Sequence, residues 1–391
     1  CSGSGCGATR AAARSTSIFE VPCGERFMKN QQPPVSATDD LGKWLEWKLE
    51  SLLPDQELTL EQANKLGETL PELIEQVTSD SAEILLQKYK SDIPGILKKQ
   101  EKNDRDFQRN LLRLWGNAIK SLEALRQFAF EMGRQFNIQF GPTATKDNDF
   151  VFQALIRLHA RACLITSEII ALLKSGHASG AHSRWRTLHE IAVVSFFIAQ
   201  NGNEVAERYL LHDLIESYNA ATQYQKKHEQ SPNEFRVFGY EPVDQSDLDT
   251  LTRLREELCA RFGDNFRKNY GWASEALNKS NPNFAELEEA AGFENSRPFY
   301  KLASHSVHAQ SKGILFNIGL PEDTNLLLTG PSIYGLADPG QGAAYSLHQA
   351  TYALLMTREN LLNIIIVKAM EKMVQEVQQA FIDAHNIVES E

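Results

Sequence analysis

From Asp39 onward, apolar residues recur every three or four positions along almost the whole chain, the period of an α-helix with one buried face. Leu41, Trp44, Leu45, Leu52 and Leu53 predict a short amphipathic helix stopped by Pro54. Further helices are expected over 59–77 and 81–100, with Pro71 and Pro94 marking starts or kinks. A long helix is expected between Asn103 and Phe136, where Leu111, Leu114, Trp115, Ile119, Leu122 and Leu125 share one side. The polar stretch GPTATKDND (141–149) then interrupts the pattern and is the best candidate for a domain boundary.

Phe150–Lys174 is a second long helix, ending where Gly176 can take the left-handed conformation of a C-terminal cap. The short SGHASG turn brings the next helix back alongside it as an αα-hairpin. That third helix is apolar on every side from Ile191 to Ala199 apart from Ser195, so it must be buried. Gly202 and Asn203 are expected to close it and to cap a helix from Glu204 to about Gln230. Ser246 caps DLDTLTRLREELCARF, which Gly263 ends. Pro298 opens RPFYKLASHSVHAQSKG, and one long helix is expected from Gly342 to Ala384. Two β-like runs, 325–328 and 332–334, predict a small hairpin. The Gly-rich PSIYGLADPGQG lacks the Lys and Ser/Thr of a phosphate loop and reads as a turn. The expected fold class is therefore all-α, a multi-helix bundle with long antiparallel helices and that one hairpin near 325–334. Its expected organisation is a helical region over 28–100 followed by a bundle domain over 101–391.

Residues 1–27 differ in kind: they are Gly- and Ala-rich without a large apolar segment, and read as a disordered leader or an appended stretch. Three of the five cysteines lie there, leaving Cys163 and Cys259 within apolar helical patterns as buried thiols of a reducing cytoplasm. A net charge of −11 excludes a broad DNA-binding face, which needs many clustered cations, but leaves room for a local basic pocket. The longest apolar run is about half of a membrane span, so no membrane is expected.

Chemistry concentrates at the start of the third helix. His182, Arg186 and His189 fall on one face, with Glu190 beside them and Arg184 close in sequence. Arg186 and Glu190, four apart, can pair along the helix, and placed against so apolar a segment they must be paired or cost several kcal/mol, roughly. Such a cluster can be a site, with imidazole as general acid or base and guanidinium holding an anion. It can equally be a polar fastening between bundle helices. The second concentration is YKLASHSVHA, where Tyr300, Ser304 and His308 at i, i+4 and i+8 form a polar stripe beside His305. Its remaining polar capacity is matched to the Arg186/Glu190 pair, so the helix carrying His308 is expected to pack on the helix carrying Arg186. Neither metal nor cofactor is expected, because no carboxylate accompanies the two histidines and no zinc, phosphate-loop or dinucleotide spacing occurs. His212-Asp213 with Glu216 reads as a solvated helix face.

SGHASGAHSRWRTLHEIAVVSFFIAQ and the later YKLASHSVHA together resemble the paired motifs of a family of helical, mostly bacterial proteins, domain of unknown function 5677, over about residues 150–310. The resemblance implies an α-helical bundle and carries over Arg186, Glu190, Tyr300, Ser304 and His308, with no assigned activity. The spacing Arg184-x(4)-His189 is similar to the signature of HEPN ribonucleases, although Trp185 stands where those carry a polar residue. That second resemblance implies metal-independent RNA cleavage in cell defence. Two functions follow as expectations. One is an RNA-cleaving enzyme whose catalytic residues are drawn from Arg184, Arg186, His189, Glu190, Ser304 and His308. The other is a non-catalytic helical interaction protein. RNA at a local pocket and a second copy of the chain are the expected partners.

Overall fold

The computed structural model describes residues 59–309, 311–321 and 326–390; the leader and the Leu41–Leu53 helix lie outside them. The described residues are helical, with no strand among them. The chain divides into two compact units between Lys102 and Asn103, and the polar stretch 141–149 lies inside the second.

Helix α1 runs from Leu60 to Lys146. It continues through Pro71, Pro94 and Pro142, each of which removes one backbone donor without ending it, so the separate helices expected over 59–77, 81–100 and 103–136 are one. Within the first unit its Leu70, Ile74 and Ile84 are exposed while Val77 and Ser81 are buried.

The second unit is built on α2 (Phe150–Lys174) and α3 (Ala178–Leu211), the antiparallel hairpin that the Gly176 turn dictates. Asp149 caps α2 by accepting from Phe152 N, and also pairs with Arg358. Gly176 has φ +74°, and a Cβ there would strike Phe107 and the Ser332 carbonyl, so glycine is required twice over. Gly202 (φ +79°) kinks α3 where a helix end was expected. Asn203 caps the neighbouring α2 instead, its Oδ1 accepting from Phe150 N at 2.7 Å. After a break at His212 come α4 (Asp213–Gln230), α5 (Pro232–Val237) and α6 (Gln245–Phe262), then α7 (Phe284–Ala290), α8 (Arg297–His305) and α9 (Ser311–Leu315).

The layer is closed by α10 (Ala337–Leu355) and α11 (Leu361–Ser390). These were expected as one helix. The chain breaks because Asn363 Nδ2 donates to the Leu355 and Arg358 carbonyls, holding the 356–360 turn open. Residues 326–328 and 332–334 carry no ladder, so the expected hairpin is absent from the described residues; the Trp115 indole and Gly176 take the backbone groups of Ile333 and Ser332 that a ladder would use. The second half of PSIYGLADPGQG is helix rather than turn. Its glycines let neighbours approach: a Cβ on Gly340 would lie 2.3 Å from the Phe381 ring, and one on Gly342 2.7 Å from the Trp185 indole.

A pair of substitutions separates close approach from propensity. Gly340→Ala is expected to lose about 1–3 kcal/mol through overpacking against fully buried Phe381, more than the ~1 kcal/mol that helix propensity returns. Gly116→Ala, whose Cβ would meet Leu112 at an ordinary 3.9 Å, is expected to gain up to ~1 kcal/mol. Thermal unfolding of the two variants checks the opposite signs.

Candidate functional site

Helix α8 packs on α3, as the paired motifs implied, and their meeting point is Tyr300. Its hydroxyl donates to Glu190 Oε1 at 2.6 Å. Arg186 stands 3.3 Å from the same oxygen as an ion pair along α3, with side-chain exposures of 25% and 35% for the two residues. The pair is thus half-buried, at the edge of the core rather than inside it. The Arg186 guanidinium lies 4.9 Å from the Tyr300 ring centre and that of Arg297 5.3 Å from it, so one ring carries two cations. Burial, followed by the hydrogen bond and charge of Glu190, holds the Tyr300 phenol well above its ordinary value.

One turn inward, His189 Nε2 faces Glu288 Oε1 at 2.8 Å, and Arg297 donates to the other Glu288 oxygen at 2.7 Å. The His189 and Glu288 side chains are 2% and 1% exposed. Trp185, Phe284, Phe293 and Tyr300 surround the imidazole at 5.6, 6.2, 5.8 and 5.7 Å. Burial alone would raise the Glu288 carboxyl, but hydrogen bonds from His189 and Arg297 outweigh it and hold the group below its ordinary value. Sequence reading missed Glu288 and Arg297. The signal for Glu288 was its position: Phe284, Leu287, Glu288 and Ala291 repeat at helical spacing on the inward face of α7, whose start the Asn283/Glu286 capping box fixes.

The remaining residues do not join this network. Arg184 pairs with Glu168 of α2 at 2.5 Å, because five positions along a helix is about 140° of rotation and carries it away from His189. The Arg184/His189 spacing is therefore not a spatial pair. Ser304 donates to the Tyr300 carbonyl of its own helix at 2.8 Å. His308 is exposed, three residues past the end of α8. Beyond Ala303 no residue of that run is buried, so nothing repays extending the helix to His308, and the expected i, i+8 stripe stops at Ser304. His182 is buried and stacks on Trp185 at 5.4 Å.

His212 also departs from its reading. It is buried and its Nε2 donates to the Lys268 carbonyl at 2.9 Å, while Glu216 keeps to the surface. Close by, buried Arg208 donates to the Trp272 and Phe262 carbonyls and to Glu275. No grouping of three or more His, Cys, Asp or Glu suited to a metal occurs among the described residues, and no helix there is long and apolar enough to cross a membrane. A depression lined by Ala285, Glu288, Glu289, Glu294 and Arg297 borders the network.

Residues 152–325, from the start of α2 to beyond α9, match the family model of a family of unknown function (DUF5677). The match spans both motifs that meet at Tyr300 and Glu190. No curated protein and no solved structure matches the chain.

Proposed function

We propose that the chain is a non-catalytic helical interaction protein, in which the Arg186–Glu190–Tyr300 and His189–Glu288–Arg297 groups are a fastening that docks α7 and α8 on α3. The observation that carries this reading is the sealing of His189. An imidazole that serves as general base must reach a substrate proton, directly or through one water. His189 instead spends its Nε2 on a buried carboxylate inside an aromatic enclosure. The formal charges also match within the network: the guanidiniums of Arg186 and Arg297 meet the carboxylates of Glu190 and Glu288, and His189 hydrogen-bonds to the second of these.

The second reading is metal-independent RNA cleavage. It draws on the half-exposed cations Arg186 and Arg297 and on exposed His308. Incubating the full chain with a mixed-sequence single-stranded RNA in the presence of EDTA decides between the two. The expected result is intact RNA, with the wild type indistinguishable from Arg186→Ala and His308→Ala. Cleavage by the wild type that either variant abolishes would replace the first reading by the second.

A further inference from the structure

Helix α10 packs on α2, α3 and α11 within the second unit. Its buried side includes Gly340, Ala343, Ala344, Ser346, Ala350 and Thr351, small residues that let the neighbouring helices approach closely. Two buried histidines lie at its contacts with the hairpin, one on each helix, His159 directly and His182 through Trp185. From α2, His159 places Nε2 at 3.2 Å from Thr351 Oγ1. Its ring fills the space left by Gly133 of α1, where a Cβ would come within 2.2 Å, and Cys163 Sγ lies 3.9 Å away. From α3, His182 stacks on Trp185, whose indole lies over Gly342 and donates to Ser346 Oγ at 3.1 Å. Its Nδ1 has no hydrogen-bond partner among the described residues.

We propose that α10 is an acid-releasable helix, held on the α2–α3 hairpin only while His159 and His182 are neutral. Charge on either buried imidazole would sit between tightly packed helices and out of water. No charged group bears on His159; Arg126 donates to the Cys163 carbonyl one turn along α2. On His182 only Asp338, in the first turn of α10, acts to favour the charged form. His348, on α10 itself, has Glu371 and the Val367 backbone of α11 facing it, and its burial also favours the neutral ring. Burial lowers both His159 and His182 from 6.5 to about 4. The sign follows: the released form takes up protons at the ordinary histidine value and the packed form does not, so packing is favoured at neutral pH and lost as pH falls from 6.5 towards 4.

Amide hydrogen exchange on the full chain from pH 7 to pH 4 tests this, with rates corrected for intrinsic pH dependence. Peptides from 337–355 should lose protection at a higher pH than those from 150–174, and in His159→Gln/His182→Gln that loss should shift at least one pH unit lower. Should the double variant not fold, the single His182→Gln and the imidazole proton resonances of the wild type serve instead: neither ring should titrate until α10 opens. Simultaneous loss of protection in α2 and α10, an unshifted profile in the variant that folds, or either imidazole titrating near 6.5 while α10 stays protected would overturn the proposal.

Discussion

Replacing Glu288 by Ala is expected to cost about 3–5 kcal/mol of stability, among the largest losses available to one substitution in this chain. The carboxylate holds two partners from different elements, His189 of α3 and Arg297 of α8, and its removal leaves a buried imidazole and a half-buried guanidinium with nothing to face. Glu288→Gln keeps the shape and one acceptor oxygen, so its cost should be nearer 1–3 kcal/mol. The same group gives a pH dependence. Its carboxyl titrates below the ordinary value in the folded chain, so its contribution is complete above the ordinary carboxylate pKa and disappears as pH falls through the lowered folded one. Denaturant midpoints of the two variants at neutral pH check the order Ala, Gln, wild type.

Arg208→Ala should be of similar size, about 3–5 kcal/mol, for a different reason. Arg208 is 2% exposed, yet its ionic partner Glu275 is largely in solvent, so the salt bridge is the smaller part. The larger part is the pair of carbonyls, Trp272 and Phe262, which lose their donors, together with the stacking of the guanidinium on Phe262 at 4.9 Å. Arg208→Lys keeps the charge but not the planar fork, and should recover less than half of the loss. Both variants should become sensitive to proteolysis between Gly263 and Ser274, since Arg208 and His212 hold that segment by its backbone.

How much of this was legible follows from where each signal resides. The α2–α3 hairpin was readable because its determinants are local: helical periodicity on both sides and a glycine at a positive-φ position. The meeting of Tyr300 with Glu190 was readable from polar capacity that had to be matched somewhere. His308 was not placed correctly because periodicity continues on paper after the burial that sustains a helix has ended. Pro71 and Pro94 suggested boundaries that α1 overrides, and Asn363 makes a boundary between α10 and α11 that no proline announces. His212 looked solvated beside Asp213 and Glu216, and only the packing of 262–272 buries it and Arg208. For Arg208 and His212 the deciding partners are distant in sequence, as Glu288 is for His189.

The central claim, that the polar network is a fastening and not a reaction centre, is tested most directly by a double-mutant cycle on the unfolding free energy with His189→Ala and Glu288→Ala. Polar groups retained for chemistry commonly lower stability, so their replacement is neutral or stabilising. The fastening predicts the opposite: both single variants less stable than the wild type by more than ~2 kcal/mol, with a coupling of about 1–3 kcal/mol between them. Single variants as stable as the wild type or more so, with effects that simply add, would contradict it.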